Sequence, residues 1–188
     1  MKALGVLPFA RDLILKYIEP GSTVIDATCG NGNDTLFLAQ TLNHTGHIHA
    51  FDIQAQAINN TQEKTSDFQN ISYHHLGHEK VLDVVNAQVS LAIFNLGYLP
   101  KGDKSIVTLP ETTIQAIENI FSILEVEGLI ILVIYPGHAE GKIEKDAVLN
   151  YLAHIDQNIA HIFKYEFINQ KNNPPFVIGI EKRKNTNE

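Results

Sequence analysis

The chain alternates between short apolar runs and longer segments in which apolar residues recur every three or four positions. Short runs rich in β-branched and aromatic residues predict strands, whereas the wider spacing predicts amphipathic helices. Strands are predicted over residues 23–27, 47–53, 71–76, 89–96, 129–135, 161–169 and 175–182. Helices are predicted over residues 8–18, 33–42, 55–68, 110–124 and 140–155. Because helices follow strands through most of the chain, the pattern predicts an α/β fold.

Two of the predicted strands, 89–96 and 129–135, are almost wholly apolar, which is typical of central strands in a parallel sheet. The last two strands, by contrast, are joined by the turn sequence QKNNPP with no helix between them. So short a connection can join only antiparallel neighbours. We therefore predict a doubly wound, seven-stranded, mostly parallel sheet closed by an antiparallel C-terminal hairpin, in a single domain spanning residues 1–188.

Composition narrows the class of protein. No apolar run reaches the roughly 18 residues that a membrane helix needs, and the N-terminus lacks the long apolar core and cleavage site of a signal peptide. The single cysteine, Cys29, excludes an intramolecular disulfide and a multi-cysteine zinc site. We therefore expect a cytoplasmic protein with no membrane partner. The net charge of −7 argues against an extended footprint on nucleic-acid phosphates, although it leaves room for a small basic patch.

The sequence DATCGNGNDT, residues 26–35, lies between a predicted strand and a predicted helix. Gly30 and Gly32 allow a ligand to approach the backbone of this turn, and Asp52 ends the next predicted strand, 20 positions after Gly32. An acidic residue at about that spacing can bind the hydroxyls of a ribose. Ligands of doubly wound sheets bind outside the carboxyl ends of the strands, so the turn and Asp52 together predict a nucleotide-like cofactor.

Two classes of cofactor compete for this turn. A dinucleotide fingerprint requires a glycine or alanine three positions after the second glycine, where this chain has Thr35, and no Tyr-x-x-x-Lys pair typical of dehydrogenases occurs in the sequence. Asp26, four positions before Gly30, suits a ligand with a sulfonium or ammonium group, whereas its charge would repel a pyrophosphate. The turn therefore favours S-adenosyl-L-methionine.

The turn resembles the first motif of class I methyltransferases, with Thr28 where many members have a further glycine, and FDIQ (51–54) resembles their ribose motif. Three later motifs are HHLGHE (74–79), NLGYLPKGDKS (95–105) and YPGHAEGK (135–142). Together they resemble a narrow bacterial family long described as rRNA methylases and now associated with methylation of tRNA 5-aminomethyl-2-thiouridine. The resemblance covers nearly the whole chain and implies a Rossmann-like class I methyltransferase fold.

The resemblance also implies the reaction and its partners. The chain would transfer a methyl group from S-adenosyl-L-methionine to the aminomethyl group of the wobble uridine, which would complete methylaminomethyl-uridine. The substrate would be the anticodon loop of tRNA, where a single splayed-out base needs fewer phosphate contacts than a duplex does. The family further suggests a homodimer.

By the same resemblance, Asn31 and Asn33 would contact the cofactor, and Asp52 would bind the ribose hydroxyls. Gly77 and His78 would lie near the adenine, where many relatives have an aspartate. The full set of predicted cofactor-binding residues is Asp26, Thr28, Gly30, Asn31, Gly32, Asn33, Asp34, Asp52, Ile53, Gln54, Gly77, His78 and Asn95.

The sequence NLGY (95–98) follows an apolar strand, at the place where amino-methyltransferases carry Asn-Pro-Pro-Tyr. In that motif the asparagine oxygen accepts a hydrogen bond from the acceptor amine, and the aromatic ring covers the reacting group. Asn95 and Tyr98 keep the ends of the motif, whereas Leu96 and Gly97 replace both prolines. The altered motif fits a flexible aminomethyl group better than the planar amine of a base.

Methylation of an alkylamine requires the loss of a proton, because such an amine has a pKa of about 10. Asp103 and His138 follow neighbouring predicted strands and are candidate bases, although water could also take the proton. The predicted catalytic residues are therefore Asn95, Tyr98, Asp103 and His138.

The histidines do not predict a metal site. His74, His75 and His78 cluster, and His47 and His49 share one face of a strand. No carboxylate or cysteine completes a set of ligands at a recognisable spacing, so we expect no metal.

The sequence is also compatible with other functions. A methyltransferase could act on rRNA instead of tRNA, or on an amine of a small molecule or protein, which the acidic net charge favours. A dinucleotide-dependent oxidoreductase and a non-catalytic binding module that retained the fold are further alternatives. The identity of the bound cofactor distinguishes the oxidoreductase from the methyltransferases. Catalytic turnover distinguishes an enzyme from the binding module.

Overall fold

The computed structural model describes residues 2–97, 108–137 and 139–185. Its strands are β1 (Thr23–Asp26), β2 (His47–Phe51), β3 (Ile71–His74), β4 (Val89–Leu96), β5 (Leu124–Ile134), β6 (Ala160–Tyr165) and β7 (Phe176–Lys182). Its α-helices are α1 (Val6–Tyr17), α2 (Asn33–Leu42), α3 (Ala55–Lys64), α4 (Pro110–Ile123) and α5 (Ala139–Ala153), and a 3₁₀ helix spans His78–Asp83. Within the described residues, no helix is both long and apolar enough to cross a bilayer.

All of these strands belong to one sheet, in the order β3-β2-β1-β4-β5-β7-β6. The pairs from β3 to β5 are parallel, whereas β7 is antiparallel to both β5 and β6. The predicted mostly parallel sheet with an antiparallel C-terminal hairpin is therefore confirmed. Chain order reverses between β1 and β4, which pair in parallel, so their carboxyl ends meet at one edge of the sheet. Doubly wound sheets bind ligands at such a reversal.

The centre of the core is formed by β4 and β5, whose two faces are both covered. Alternate residues of a strand face opposite layers. Ile130 and Leu132 of β5 cluster with buried residues of α4 and α5, whereas Ile131 and Val133 cluster with those of α1 and α2. Because each buried side chain of this size contributes about 1.5–3 kcal/mol, the uninterrupted apolar sequence places these strands at the centre.

The strand β5 begins earlier than the predicted range of 129–135. Leu124 is buried and pairs with Val89, and the register then shifts between Val89 and Leu91. The sequence EVEG follows Leu124, and Glu127 within it has a φ of 67°. These polar residues and the local irregularity hide the start of the strand from a prediction based on apolar runs.

The helix α3 ends at Lys64, short of the predicted range of 55–68. Thr65 leaves the helical conformation, and its hydroxyl donates to the Thr61 carbonyl at 2.6 Å and lies 2.6 Å from the Tyr73 hydroxyl. The threonine therefore ties the end of α3 to β3. The 3₁₀ helix was not predicted, since its six residues are too few to show a helical period.

Histidines of β2 and β3 lie together on one face at the edge of the sheet. His49 Nδ1 lies 3.0 Å from His74 Nε2, and the His74 ring stacks on Phe51 with 4.5 Å between centroids. Burial, together with the neighbouring His47 and His74, lowers the pKa of His49 to about 4. Across the described ranges, no group of three or more His, Cys, Asp or Glu residues is placed to hold a metal ion.

We expect acid to destabilise the fold partly through His49. The unfolded imidazole has its ordinary pKa of 6.5 and the folded one a pKa of about 4, so this contribution to stability is present above pH 6.5 and is lost as the pH falls towards 4. Replacing His49 with glutamine should therefore reduce the loss of unfolding free energy between pH 7 and pH 5 by roughly 1 kcal/mol, after allowance for solvent screening. Urea denaturation at several pH values measures this difference.

The control is His154→Gln, which changes an exposed histidine just after α5 whose ring bonds the Asn150 carbonyl of that helix. Between pH 7 and pH 5, this variant should lose as much unfolding free energy as the unmodified chain does. The prediction is wrong if His49→Gln also follows the unmodified chain.

Candidate active site

A cavity of about 740 Å³ opens at the carboxyl ends of the parallel strands, within the size range of small-molecule and cofactor sites. Its lining comes from the loops that follow β1 to β5, from the end of β4, from α1, α2, α4 and the 3₁₀ helix, and from the turn before β7. The residues are Leu7, Arg11, Thr28, Cys29, Gly30, Asn31, Asn33, Asp34, Asp52, Ile53, Gln54, Leu76, Gly77, His78, Glu79, Asn95, Gly97, Thr108, Leu109, Thr112, Tyr135, Gly137, Asn173 and Pro175.

The glycine turn after β1 depends on left-handed backbone at two positions. Gly30 has a φ of 52° and Gly32 a φ of 73°, which residues with a side chain rarely adopt. Gly32 is the N-cap of α2, and its N–H donates to the Cys29 carbonyl at 2.7 Å. A Cβ at Gly32 would lie 2.9 Å from Thr61 Cα. The turn is therefore packed directly against α3, and its conformation requires glycine.

Asp52 ties this turn to the loop after β2. One carboxylate oxygen accepts from the Gly30 N–H at 3.0 Å and the other from the Gln54 N–H at 2.9 Å. An ionised carboxylate has about four acceptor positions. Asp52, which also lines the cavity, therefore has the capacity to accept from the hydroxyls of a bound ribose.

Asp26 lies beneath the cavity and is fully buried. It accepts a hydrogen bond of 2.6 Å from the Thr35 hydroxyl and one of 3.3 Å from the Thr28 N–H. Burial, followed by the negative charge of Asp34, raises the pKa of Asp26 to about 7. The residue thus orders the turn and the first turn of α2 from below.

Asn95, near the end of β4, joins the turn to the central strands. Its backbone N–H donates to the Thr28 hydroxyl at 2.7 Å, and its side-chain Nδ2 donates to Asp34 Oδ2 at 2.7 Å. The second bond fixes the rotation of the amide, so that Oδ1 is the end that can accept from a ligand. Tyr135 follows β5 and also lines the cavity, and burial together with the charge of Asp34 raises the pKa of its hydroxyl.

His78 closes the far side of the cavity. It is buried, and its Nδ1 lies 3.1 Å from the Ala27 carbonyl, which requires a proton on that nitrogen. Burial lowers its pKa, because it disfavours the charged form of the ring. His78 therefore anchors the start of the 3₁₀ helix to the loop after β1.

The two asparagines of the turn are held by α3. Asn60 Nδ2 donates to Asn31 Oδ1 at 3.0 Å, and Lys64 Nζ donates to Asn33 Oδ1 at 2.6 Å. Both asparagines line the cavity. Their side chains are therefore oriented by a neighbouring helix before any ligand binds.

The structure brings most of the predicted cofactor residues together. All of them line the cavity except Asp26 and Gly32, which lie beneath it and shape the turn. Among the predicted catalytic residues, Asn95 lines the cavity, whereas Tyr98, Asp103 and His138 lie outside the described residues. Their roles stay predictions.

Several lining residues were missed by the sequence analysis, chiefly Leu7, Arg11, Tyr135 and Pro175. Tyr135 opens the quoted motif YPGHAEGK, so the signal that could have identified it was its position directly after a central strand. Leu7 and Arg11 belong to α1, and no local pattern connects that helix with the glycine turn. Only the folded chain places them at the cavity.

The sheet order, its one antiparallel strand and the cavity at the reversal point define a class I methyltransferase. The glycine turn after β1 and the carboxylate after β2, which the sequence predicts as contacts of S-adenosyl-L-methionine, both contribute residues to this cavity. The family described as "Putative rRNA methylase" matches residues 48–181. The chain belongs to this family.

Individual relatives agree with this assignment. The chain is 38% identical over 181 residues to "tRNA (mnm(5)s(2)U34)-methyltransferase, chloroplastic" of Arabidopsis thaliana, a match that covers 89% of this chain and 66% of that protein. The chain therefore spans slightly less than two thirds of that relative. It also spans 28% of "Ribosomal RNA small subunit methyltransferase H 1" of Acholeplasma laidlawii, at 33% identity over 43% of this chain.

Two solved structures are similar over almost the whole chain. A "putative rRNA-methylase" from Clostridium thermocellum is 42% identical, with a TM-score of 0.95 over 97% of this chain and 100% of that one. A methyltransferase from Streptococcus mutans, solved in complex with SAH, is 37% identical, with a TM-score of 0.87 over 96% of this chain and 99% of that one.

We expect Gly32→Ala to destabilise the fold by roughly 1–2 kcal/mol, because an L-residue is strained at positive φ and because its Cβ would press on Thr61 Cα. The shifted turn should also weaken the binding of S-adenosylhomocysteine by tenfold or more, on the order of 1.4 kcal/mol. Urea denaturation and isothermal titration calorimetry measure the two effects.

Gly137→Ala is the control for stability, because a Cβ at that position meets no atom of the described residues within 4 Å. It should unfold as the unmodified chain does. If Gly32→Ala is equally stable, the left-handed turn does not need glycine.

Proposed function

We propose that this chain methylates the aminomethyl group on the wobble uridine of tRNA, with S-adenosyl-L-methionine as methyl donor. The observation that carries the proposal is the amide of Asn95, whose nitrogen donates to Asp34 at 2.7 Å. Because the nitrogen is engaged by Asp34, the oxygen of the amide remains available to accept a hydrogen bond from an amine. The name of the Arabidopsis thaliana relative, which is 38% identical, supports the choice of substrate.

We propose that the cofactor lies across the carboxyl ends of the strands, in the order in which the strands follow one another in the sheet. The loops after β2 and β3 lie on one side of β1, so Asp52 would bind the ribose and Gln54 would lie beside the adenosine, with Gly77 and His78 at the adenine. Thr28, Asn31 and Asn33 would hold the amino-acid part over the glycine turn. Asn95, near the end of β4, would then lie on the side of the cofactor from which the acceptor enters.

When bound, S-adenosyl-L-methionine supplies a methyl group already activated on a positively charged sulfur. The chain therefore has to position the acceptor and hold its reacting nitrogen roughly 3 Å from that methyl group. Asn95 Oδ1 would accept a hydrogen bond from the amine and aim its lone pair. Asp34 holds the amide, and the negative charge of Asp34 favours the cationic partners of the reaction.

The proton of the amine needs an acceptor, because an alkylamine has a pKa of about 10. Asp103 and His138 are the proposed candidates, with Tyr98 as the aromatic cover over the reacting group. A homodimer and a cytoplasmic location likewise stay predictions.

A second candidate is methylation of an amine on a small molecule, which the net charge of −7 favours because it disfavours an extended RNA footprint. This candidate uses the same cofactor site and the same Asn95. If the substrate is an RNA, it could also be rRNA in place of tRNA, in line with the name of the family. Analysis of the nucleosides of tRNA and rRNA separates these cases.

In cells that lack the gene, we expect aminomethyl-uridine to accumulate in tRNA in place of methylaminomethyl-uridine. Mass spectrometry of digested tRNA measures both nucleosides. Re-expression of the unmodified chain should restore the methylated form, and rRNA from the same cells serves as the internal comparison. An unchanged tRNA profile would overturn the tRNA assignment, and a change confined to rRNA would replace it.

We expect Asn95→Ala to lower kcat on the aminomethyl substrate by roughly 100-fold, because the amine loses the acceptor that orients it. Binding of S-adenosylhomocysteine should change only a few-fold, since Asn95 is one of many groups around the cofactor. Single-turnover assays and calorimetry separate the two effects.

Asn158→Ala is the matched control, because the amide of Asn158 also donates to an aspartate, Asp156, at 3.0 Å but on the exposed surface. It should keep full activity. Full turnover by Asn95→Ala would show that Asn95 does not orient the acceptor.

A further inference from the structure

Arg11 of α1 lines the cavity but was not part of any predicted site. It lies one helical turn after Leu7, an exposed apolar residue on the same wall of the cavity. Asn173 and Pro175, from the turn before β7, line the cavity as well. Since β7 lies beyond β5 in the sheet, this wall belongs to the acceptor side and not to the ribose side, which is formed by the loops after β2 and β3.

The guanidinium of Arg11 lies over an aromatic ring. Its central carbon lies 4.9 Å from the centroid of Phe37 in α2. A guanidinium over the face of an aromatic ring is attracted to that ring, and this contact leaves its N–H groups free to donate to a ligand. Arg11 forms no ion pair with a described residue, so those donors are directed at no carboxylate in that part of the chain.

The other charged residues that line the described part of the cavity are acidic. Asp34, Asp52 and Glu79 line the cavity, and Arg11 is the one lysine or arginine among the described lining residues. Among the described lining residues, an anionic substrate that approaches this cavity therefore meets one cationic side chain, on the proposed acceptor side. The five donors of an arginine in a planar fork match the oxygens of a phosphate.

We propose that Arg11 binds a backbone phosphate of the RNA substrate next to the methylated base. This inference rests on the proposed function, because it requires an RNA acceptor. The contact gives an acidic chain the local positive charge that its net charge of −7 does not supply. It also sets the distance between the phosphate backbone and Asn95, so that the base enters the cavity in one position.

The test uses Arg11→Gln, Arg11→Lys and Lys16→Gln in the full-length protein. Lys16→Gln removes the same charge from the same helix, at a residue that is about 140° around the helix. Lys16 pairs with Asp12 at 2.7 Å and does not line the cavity. Each variant is titrated with an anticodon stem–loop RNA that carries aminomethyl-uridine, at several salt concentrations, with S-adenosylhomocysteine present.

Arg11→Gln should weaken RNA binding about five- to tenfold at low salt and reduce the slope of log K against log salt by about one. Arg11→Lys should keep the salt slope of the unmodified chain but not its full affinity, since an ammonium lacks the planar set of donors of a guanidinium. Lys16→Gln should leave the slope unchanged. The Kd for S-adenosylhomocysteine should stay within twofold in all variants, and their urea midpoints confirm that they are folded.

The inference is overturned if Arg11→Gln and Lys16→Gln give the same RNA affinity and slope. It is also overturned if Arg11→Gln weakens S-adenosylhomocysteine tenfold with an unchanged salt slope, because Arg11 then binds the carboxylate of the cofactor. These results leave the proposed function intact. If the unmodified chain neither binds nor methylates the RNA, the proposed function itself fails, and the inference falls with it.

Discussion

Burial of β4 and β5 on both faces is the constraint on which the rest of the structure depends. Side chains along these strands have apolar neighbours in both layers, and an unpaired polar group among them would cost roughly 1–3 kcal/mol. Polar residues are therefore restricted to the places where the strands end, as Asn95 and Tyr135 illustrate. Because the strands are parallel, those ends meet at one edge. The site is thus a consequence of how the core is built.

Short polar contacts then couple the two halves of the site. The Thr28 hydroxyl accepts from the Asn95 N–H, and the Asn95 amide donates to Asp34, so the acceptor corner and the cofactor turn share their supports. Asp52 fixes the same turn from the side of β2. A displacement of the glycine turn would therefore move both the proposed cofactor site and Asn95, which we propose aims the acceptor. The proposed positions of the two reactants therefore depend on the same set of hydrogen bonds.

The features that could be predicted from the sequence are those encoded by neighbouring residues. The boundaries of α2 and β4 follow from an uninterrupted local pattern, and the distance from Gly32 to Asp52 follows from the lengths of one helix and one strand. The start of β5 was missed because it depends on the pairing of Leu124 with Val89 in another strand. Arg11 was missed for the same kind of reason, since the packing of α1 against α2 is set by tertiary contacts.

The acidic character of the site acts differently on the two reactants. Asp34 and Asp52 line the cavity, and their neighbour Asp26 has a pKa raised to about 7, largely by burial and then by Asp34. Such a field favours a sulfonium, but it also raises the pKa of the proposed amine acceptor. Methyl transfer moves the positive charge from sulfur to nitrogen without changing its sign, so the field has little effect on that step. The field instead opposes the earlier loss of the proton. In the proposed reaction Asn95, a neutral acceptor, would orient the amine without adding a further negative charge that would hold the proton.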